Sequence, residues 1–407
     1  MSLMMLDTLS EENNIPAISV AIVSPTGDIF TEAKGITNRS DPKKVTDQTI
    51  FEAASLSKPV FAYIVLKMAQ RGEIDLDTPL IEILEKKFGK EDPRAQFGPP
   101  FPGIREHENY RKLTARMLLS HQAGLPNEFI HPKYEFKAKA GSSFDYSGEA
   151  YRFLMEVIDK IAYPKSIEIL AQEEFKKIHM EHSSFIRPNV ANIAVGHHGD
   201  GKMDERQHFF GIHPAGSLHT TAEDYGKFLK ACVNDEYVRS KMFTPCVIEL
   251  KGIDFEGMKQ KVPEGILSHI AWGLGIGLQK NSDGSVTAFH WGDGSGTCRN
   301  FAAINLSTNQ AVTCFTNSAN GPMVFRQICE PIIGDLSIVS HWLSLRENLP
   351  FAISPVGQEL TIPKAFVANY QSHVDRSIKD EKQGKKSQDV NDDVRQDTGT
   401  SIKKFDQ

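Results

Sequence analysis

The stretch FEAASLSKPV, residues 51–60, places Ser55 and Lys58 three positions apart where a helix is predicted to begin. Seven consecutive apolar or aromatic residues follow at 60–66, and Gly72 supplies a C-cap signal soon afterwards. This length and this ending predict a helix that is buried on all sides. Because residues three apart lie on the same helical face, Ser55 and Lys58 are expected to be neighbours near the helix start.

The Ser-x-x-Lys spacing is weak evidence by itself, since the chain contains it three times. Ser40–Lys43 lies in SDPK, where the proline disfavours helix for the residue before it, and Ser401–Lys404 lies in a polar terminal segment. Only the pair at 55 and 58 opens a buried helix, whose unpaired N–H groups and positive dipole favour negative charge. The alternative interpretation of that pair is an N-cap serine followed by a solvated lysine.

The composition is that of an ordinary globular chain of 407 residues, with 40% hydrophobic and 24% charged residues. This length predicts one large domain with insertions or two closely packed lobes. No apolar run is long enough to cross a bilayer, so membrane insertion is not expected. A formal net charge of −6, without a stripe of Lys and Arg, argues against nucleic acid as a partner.

The five cysteines are odd in number and have no Cys-x-x-Cys spacing, which favours buried thiols over a disulfide framework or a zinc site. The N-terminal MSLMM contains no basic-then-apolar leader, and it is interpreted as residues added ahead of a trimmed start. The compartment therefore stays open between the cytoplasm and, for a protein whose leader has been removed, the periplasm. The sequence does not specify an oligomeric state.

Strand signals lie at both ends of the chain, and helical periodicity lies between them. AISVAIVSPTGDIFTEAKG at 17–35 predicts a hairpin, and strand patterns return with WGLGIGLQK at 272–280. We therefore predict an α/β (α+β) fold, in which an antiparallel sheet built from the N- and C-terminal segments is flanked by helices and carries an inserted, mainly helical lobe. The predicted boundaries are 5–72 and 266–347 for the sheet lobe, 73–265 for the helical lobe, and 348–407 for an extension with a polar tail from about residue 371.

Three longer stretches add specificity to the pair at 55 and 58: RGEIDLDTPL (71–80), LLSHQAGLPN (118–127) and PAGSLHTTAEDYGKF (214–228). Their sequences and their order resemble the serine β-lactamase-like family, which includes class C β-lactamases, D-Ala-D-Ala carboxypeptidases and related esterases. The resemblance runs from about residue 5 to about residue 345. It implies a β-lactamase/transpeptidase-like fold with Ser55 as the active-site serine.

Two further motifs of that family are present in this sequence with some of their residues replaced. The Tyr-x-Asn motif appears as Tyr146-Ser147-Gly148, so a glycine replaces the residue that would bind the amide carbonyl of a β-lactam side chain. The Lys-Thr-Gly motif appears as His290-Trp291-Gly292 at the end of a predicted strand, with less charge for a substrate carboxylate and an added apolar wall. Without the resemblance, these stretches are compatible with a core tyrosine and a structural histidine. With it, the implied substrate-binding positions are Gly148, His290, Trp291 and Gly292.

The mechanism that the resemblance implies is a two-step acyl transfer, in which Ser55 attacks an ester or amide carbonyl and water later releases the acid. The base is either Tyr146 as tyrosinate or neutral Lys58, and the sequence does not choose between them. For the tyrosinate, the pKa has to fall from about 10 to about 7, helped by a cationic Lys58 and a protonated His290. By carry-over from the family, the oxyanion hole consists of the backbone N–H groups of Ser55 and Asp293.

The expected substrate is a small-molecule ester, amide or peptide, and no cofactor is expected. The departures at 148, 290 and 291 favour esterase or D-peptidase-like hydrolysis over class C-like β-lactam turnover. A non-catalytic, penicillin-binding-like protein is one alternative, because two of the three motifs depart from the family pattern. The chain has no GxSxG elbow and no Ser-Asp-Asn, which disfavours an α/β-hydrolase and a class A β-lactamase.

A metal-dependent hydrolase is a further alternative, although no HExxH pattern is present and no metal site is predicted. Its ligands would come from one polar, histidine-rich part of the chain: His197, His198, Asp200, Asp204, His208 and His213.

Overall fold

The computed structural model describes residues 3–98, 104–127, 135–205, 211–248, 250 and 264–343. The predicted extension from residue 348, with its polar tail, lies outside these residues. In the described part the strands are β1 (Ala17–Val23), β2 (Ile29–Gly35), β3 (Phe51–Glu52), β4 (His219–Thr220), β5 (Ile270–Trp272), β6 (Gly277–Lys280), β7 (Val286–Gly294), β8 (Cys298–Asn305) and β9 (Ala311–Thr316).

The helices of the described ranges are α1 (Leu3–Glu12), α2 (Ser57–Gln70), α3 (Leu80–Phe88), α4 (Ala115–Leu119), α5 (Gly148–Ala162), α6 (Ile167–Lys177), α7 (Ala222–Asn234), α8 (Glu236–Met242), α9 (Glu264–Leu267), α10 (Pro322–Ile333) and α11 (Ser337–Trp342). Short 3₁₀ turns lie at Ala54–Leu56, Pro93–Ala95 and Tyr110–Lys112.

Seven strands form one antiparallel sheet in the order β2-β1-β9-β8-β7-β6-β5. The first hairpin of the chain therefore pairs directly with the last strand, and the long segment between them has to leave the sheet and return. β3 and β4 form a separate two-stranded sheet. The predicted fold class, with an antiparallel sheet from both ends of the chain and flanking helices, is confirmed, whereas the predicted lobe boundaries stay a prediction.

The sheet is covered on both faces, and the pattern of β1 explains why. Because successive side chains of a strand point to opposite faces, Ile18 and Val20 pack with the core that includes residues of α1, α10 and α11. Ala17, Ala21 and Val23 pack with the other core, which includes α2, α5 and α7. Apolar residues on both faces of β1, with Ser19 as the exception, thus hold one layer of helices on each side.

All five cysteines are free thiols and four of them are buried, which agrees with the preference for thiols over a disulfide framework.

Within the described ranges, no helix combines the length and the apolar character that crossing a membrane requires.

The segment WGLGIGLQK, predicted as one strand pattern, contains two strands. The chain turns at 273–276, so β5 and β6 lie side by side in antiparallel pairing. Gly275 makes this turn possible, since its φ is +79° and a Cβ there would lie 2.5 Å from the Ala62 Cβ of α2. Strand periodicity alone does not reveal a turn that depends on such a close approach.

The helix predicted after FEAASLSKPV is α2, and its buried residues run almost without a break from Ser57 to Met68. It ends at Gln70, and Gly72 follows with φ +73°, as the C-cap signal indicated. Its start differs from the prediction, because Ala54 has φ +49° and a right-handed α-helix cannot pass through that conformation. Ser55 therefore lies in a 3₁₀ turn before the helix and is not its N-cap.

Ser57 fixes the turn that carries Ser55. Its Oγ donates to the Ala54 carbonyl at 2.5 Å and accepts the Leu218 N–H at 2.9 Å, with no exposure to solvent. The Ala53 N–H donates to the Leu218 carbonyl at 2.8 Å. The strained turn is thus held between α2 and the segment before β4.

We predict that Ser57→Ala lowers the free energy of unfolding by about 1–3 kcal/mol, because it leaves the Leu218 N–H buried without its acceptor. Urea denaturation measures this change, and the exposed Ser40→Ala serves as the matched control, with an expected effect within about 0.5 kcal/mol. Equal unfolding free energies for the two variants would contradict the assignment.

Candidate active site

Ser55 and Lys58 meet at the start of α2, as their spacing predicted. The Lys58 Nζ donates to the Ser55 Oγ at 2.9 Å and to the Ala215 carbonyl at 3.0 Å. Lys58 is 2% exposed, whereas Ser55 is partly exposed. The arrangement combines a partly exposed serine with a buried amine within proton-transfer distance of its hydroxyl.

Tyr146 and two motif residues from β7 join this pair. The Tyr146 ring centroid lies 4.7 Å from the Lys58 Nζ, and the Trp291 ring stacks on Tyr146 at 5.2 Å and 27°. The His290 ring lies 6.2 Å from the Tyr146 ring and 4.9 Å from the Trp291 ring. Residues predicted from three separate stretches of the sequence therefore share one site.

Tyr146 is a neutral phenol in the free protein, so the tyrosinate expected as one candidate base is not present there. Burial raises the pKa of Tyr146 well above its usual 10, and the nearby Ser55 hydroxyl offsets only part of that rise. The two hydroxyls are close, yet they do not meet hydrogen-bond geometry, and within the described residues the Tyr146 Oη has no partner. Desolvation decides the protonation state of this group.

His290 is also neutral, which corrects the expectation of a protonated imidazole. Burial, together with the charge that Lys58 carries when protonated, lowers the pKa of His290 to about 3. The Nδ1–H donates to the Trp291 carbonyl at 2.7 Å, so the Nε2 carries no proton and can only accept. In the described part of the chain this Nε2 is buried without a partner. The position therefore carries an unused acceptor and no positive charge.

Gly292 allows β7 to approach the turn that carries Ser55. The pairing of β6 with β7 ends at Phe289, so beyond it β7 has no strand neighbour on that side within the described residues. A Cβ at Gly292 would lie 2.2 Å from the Ala53 carbonyl oxygen, a distance that any side chain forbids. The glycine of the third motif is therefore required by backbone packing.

Asp293 follows on the same edge of β7, and its carboxylate has a structural task. The Oδ1 accepts the Gly296 N–H at 2.6 Å, and the Oδ2 accepts from the Arg299 Nε at 3.1 Å. These bonds close the turn after β7. The backbone N–H groups of Ser55 and Asp293 remain the predicted oxyanion hole.

Gly148, predicted as a substrate-binding position, is buried at the first position of α5. Its N–H donates to the Asn127 carbonyl and to the Asn127 Oδ1, both at 3.0 Å. A Cβ at this position would lie 2.7 Å from the Asn127 carbonyl oxygen. The local backbone thus has no room for the asparagine of the family motif.

Three contacts of the site were not predicted from the sequence: the Ala215 carbonyl on Lys58, Asn127 on Gly148, and His121 beside Tyr146. All three residues lie inside the stretches 118–127 and 214–228 that carried the resemblance. The resemblance in those two stretches was therefore the available signal for these three residues, because a long match outside the catalytic motifs suggests residues that contact the catalytic ones.

Two of the residues proposed for a metal site, His197 and Asp204, have other partners. His197 uses both ring nitrogens for backbone contacts, since its Nδ1 lies 3.1 Å from the Asn317 carbonyl and its Nε2 accepts the Arg39 N–H at 3.2 Å. The Asp204 carboxylate accepts from the Thr297 hydroxyl at 2.8 Å. His208 lies outside the described residues. Within those residues, no three His, Cys, Asp or Glu side chains are grouped as metal ligands.

We predict that Gly148→Asn, which restores the motif, lowers the free energy of unfolding by about 1–3 kcal/mol, because the new Cβ collides with the Asn127 carbonyl. The matched control is Gly216→Asn, where a Cβ meets nothing within 4 Å and the expected cost is below about 1 kcal/mol. Thermal and urea unfolding of both variants measure the difference. A Gly148→Asn protein as stable as the control contradicts this account of the glycine.

The low pKa of His290 also predicts how stability depends on pH. Because the folded pKa of about 3 lies below the usual 6.5, the unfolded chain binds a proton that the folded chain does not as the pH falls between these values. The contribution of His290 to the free energy of unfolding is therefore fully present above about pH 6.5. Below that pH it decreases by about 1.4 kcal/mol per pH unit until the folded pKa is reached. Urea unfolding from pH 7 to pH 4 is expected to show a shallower decrease for His290→Gln. The exposed His182→Gln is the control and should retain the wild-type slope.

Comparison with known proteins gives the family. The Beta-lactamase family model matches residues 5–328. Penicillin-binding protein 4 of Amycolatopsis lactamdurans is 28% identical over 123 residues, and esterase EstB of Burkholderia gladioli is 30% identical over 131 residues. These matches cover 30% and 32% of this chain and 28% of the length of each relative.

A solved structure shows the same fold. D-alanine carboxypeptidase AmpC from Burkholderia cenocepacia superposes with a TM-score of 0.60 at 16% identity, over 78% of this chain and 94% of that one. The family match spans most of the described residues, and it includes the segments that carry Ser55, Tyr146 and His290. The chain therefore belongs to the β-lactamase family.

Proposed function

We propose that this protein is a serine hydrolase that forms an acyl-enzyme on Ser55 and cleaves an ester or amide bond of a small molecule. The observation that carries the proposal is the 2.9 Å hydrogen bond between the buried Lys58 Nζ and the partly exposed Ser55 Oγ. The positive φ of Ala54, directly before Ser55, supports it, because backbone strain of this kind clusters at functional sites. An esterase and a penicillin-binding protein among the relatives agree with this class of chemistry.

In the proposed acylation, the Ser55 Oγ attacks the carbonyl carbon while its proton passes to neutral Lys58. The oxyanion that forms accepts hydrogen bonds from the backbone N–H groups of Ser55 and Asp293. When the bond to the leaving group breaks, the Tyr146 hydroxyl gives its proton to the departing oxygen or nitrogen and takes the proton held by Lys58. Water then attacks the ester on Ser55 and releases the acid, which restores the serine.

The division of roles between Lys58 and Tyr146 follows from their surroundings. The raised pKa of Tyr146 disfavours a tyrosinate in the free enzyme, whereas a neutral phenol is the form that can donate a proton. Lys58 contacts the Ser55 Oγ directly, which is the position a base requires. We therefore assign the base to Lys58 and proton delivery to Tyr146.

Between an uncharged ester or amide and a carboxylate-bearing β-lactam, the site favours the uncharged substrate. A neutral His290 has no charge to pair with a carboxylate, and its free Nε2 repels one because both are acceptors. Trp291 stacks on Tyr146 and adds an apolar ring to the site. These groups suit an acyl chain with an O–H or N–H that can donate to His290.

The first test uses a fluorophosphonate probe and a hydrolysis panel of p-nitrophenyl butyrate, ethyl butyrate, D-alanine p-nitroanilide and nitrocefin. Wild type is expected to carry the label on Ser55, and Ser55→Ala to carry none while keeping the fold. Lys58→Met is expected to slow hydrolysis of both butyrate esters by about 10²–10⁴-fold. An unlabelled Ser55 in a folded protein sinks the proposal, and nitrocefin turnover far above that of the esters replaces it with a β-lactamase.

Esters with different leaving groups distinguish the proposed role of Tyr146, proton delivery, from that of Lys58, the base. Ethoxide needs a proton when it departs and p-nitrophenolate does not, so Tyr146→Phe is expected to slow ethyl butyrate hydrolysis by about 10²–10⁴-fold. The same variant should change p-nitrophenyl butyrate hydrolysis by less than about tenfold. An equal loss on both esters would make Tyr146 the base and reverse the assignment.

A further inference from the structure

We infer that His121 is a positioning residue that holds Tyr146 against Lys58 and Ser55, an inference that rests on the proposed function. His121 lies in the stretch LLSHQAGLPN, has no exposure to solvent, and is neither a nucleophile nor a base in the proposed reaction. Its contacts converge on the residue before Tyr146, the residue after it, and the Tyr146 ring itself.

Two hydrogen bonds to His121 hold the residues on either side of Tyr146. The Asp145 N–H donates to the His121 carbonyl at 2.8 Å, and the Ser147 N–H donates to the His121 Nδ1 at 3.0 Å. Both neighbours of Tyr146 are therefore tied to one residue, which fixes the direction in which the tyrosine side chain leaves the backbone. The second bond is buried, so its loss leaves the Ser147 N–H without an acceptor.

The His121 ring also contacts the Tyr146 ring, with centroids 4.5 Å apart and planes at 36°. Trp272 packs on the His121 ring at 5.3 Å and on the Tyr146 ring at 6.1 Å. The imidazole is thus enclosed by aromatic side chains and cannot change its orientation without moving Tyr146.

The bond from Ser147 also fixes the tautomer of His121. Since the Nδ1 accepts, the ring proton lies on the Nε2, and burial keeps the pKa of His121 well below its usual value, so the ring stays neutral. A protonated ring would point an N–H at the Ser147 N–H and break the contact. His121 therefore acts as a fixed acceptor.

The backbone of His121 supplies the matched variants for a test. Its φ is +59°, a conformation that asparagine and glycine accept more readily than other residues. His121→Asn places an oxygen near the position of the Nδ1 and keeps the acceptor, whereas His121→Gly keeps the backbone and removes the acceptor. If the glycine variant does not fold, His121→Gln replaces it, because its amide oxygen lies too far from the backbone to reach the Ser147 N–H.

The experiment is a double-mutant cycle on the rate of ethyl butyrate hydrolysis, the reaction assigned to Tyr146. His121→Gly is expected to slow it by about 10²-fold, the effect of a misplacement of about 1 Å, and His121→Asn to recover at least tenfold of that loss. In a Tyr146→Phe background the glycine variant should lose less than about twofold, because no hydroxyl remains to be positioned. Equal losses in both backgrounds, or equal rates for the asparagine and glycine variants, overturn the inference.

A second measurement does not depend on catalysis. With 3-fluorotyrosine incorporated and the Tyr146 line assigned by its loss in Tyr146→Phe, the ¹⁹F resonance is expected to shift or broaden in His121→Gly and to stay near wild type in His121→Asn. An unchanged line in both variants contradicts positioning even if the rates fall. If wild type takes no label at Ser55, the proposed function fails, and the ¹⁹F line still decides whether His121 positions Tyr146.

Discussion

The buried amine of Lys58 is the constraint on which the site depends, because a polar group removed from water must find partners of its own. It donates to the Ala215 carbonyl and to the Ser55 hydroxyl, so two distant parts of the chain have to meet at the start of α2. Ser57 and Leu218 fix that meeting through a second buried contact. The same packing that satisfies the lysine therefore places a partly exposed serine beside it.

Burial also sets the charge of the groups around this amine. Tyr146 and His290 both lie near Lys58, and attraction or repulsion between charges is the effect that a sequence suggests first. Desolvation is the larger effect here, since it raises the pKa of the tyrosine and lowers that of the histidine. One amine and two neutral rings are the groups on which the proposed proton transfers rest, and neither ring adds a positive charge to the site.

The features that the sequence predicted well are local ones and those that matched family motifs indicate. The hairpin at 17–35 and the buried helix after Ser55 follow from periodicity and end signals within one segment, and the meeting of Tyr146 with His290 followed from matched motifs. What was missed depends on contacts between segments. Neither the φ of Ala54, which moves the helix start to Ser57, nor the bonds of His121 to the neighbours of Tyr146 leaves a mark in local composition.

The two motif glycines show why a departure from a family pattern has to be interpreted in its structure. At Gly292 the Ala53 carbonyl excludes any side chain, so the glycine that matches the family is there for backbone packing. At Gly148 the Asn127 carbonyl excludes one too, so the glycine that departs from the family is equally required. The glycine in place of asparagine thus goes together with the close contact between Asn127 and the start of α5. Under the proposed function, the neutral ring of His290 would then influence substrate choice more than the residue lost at 148.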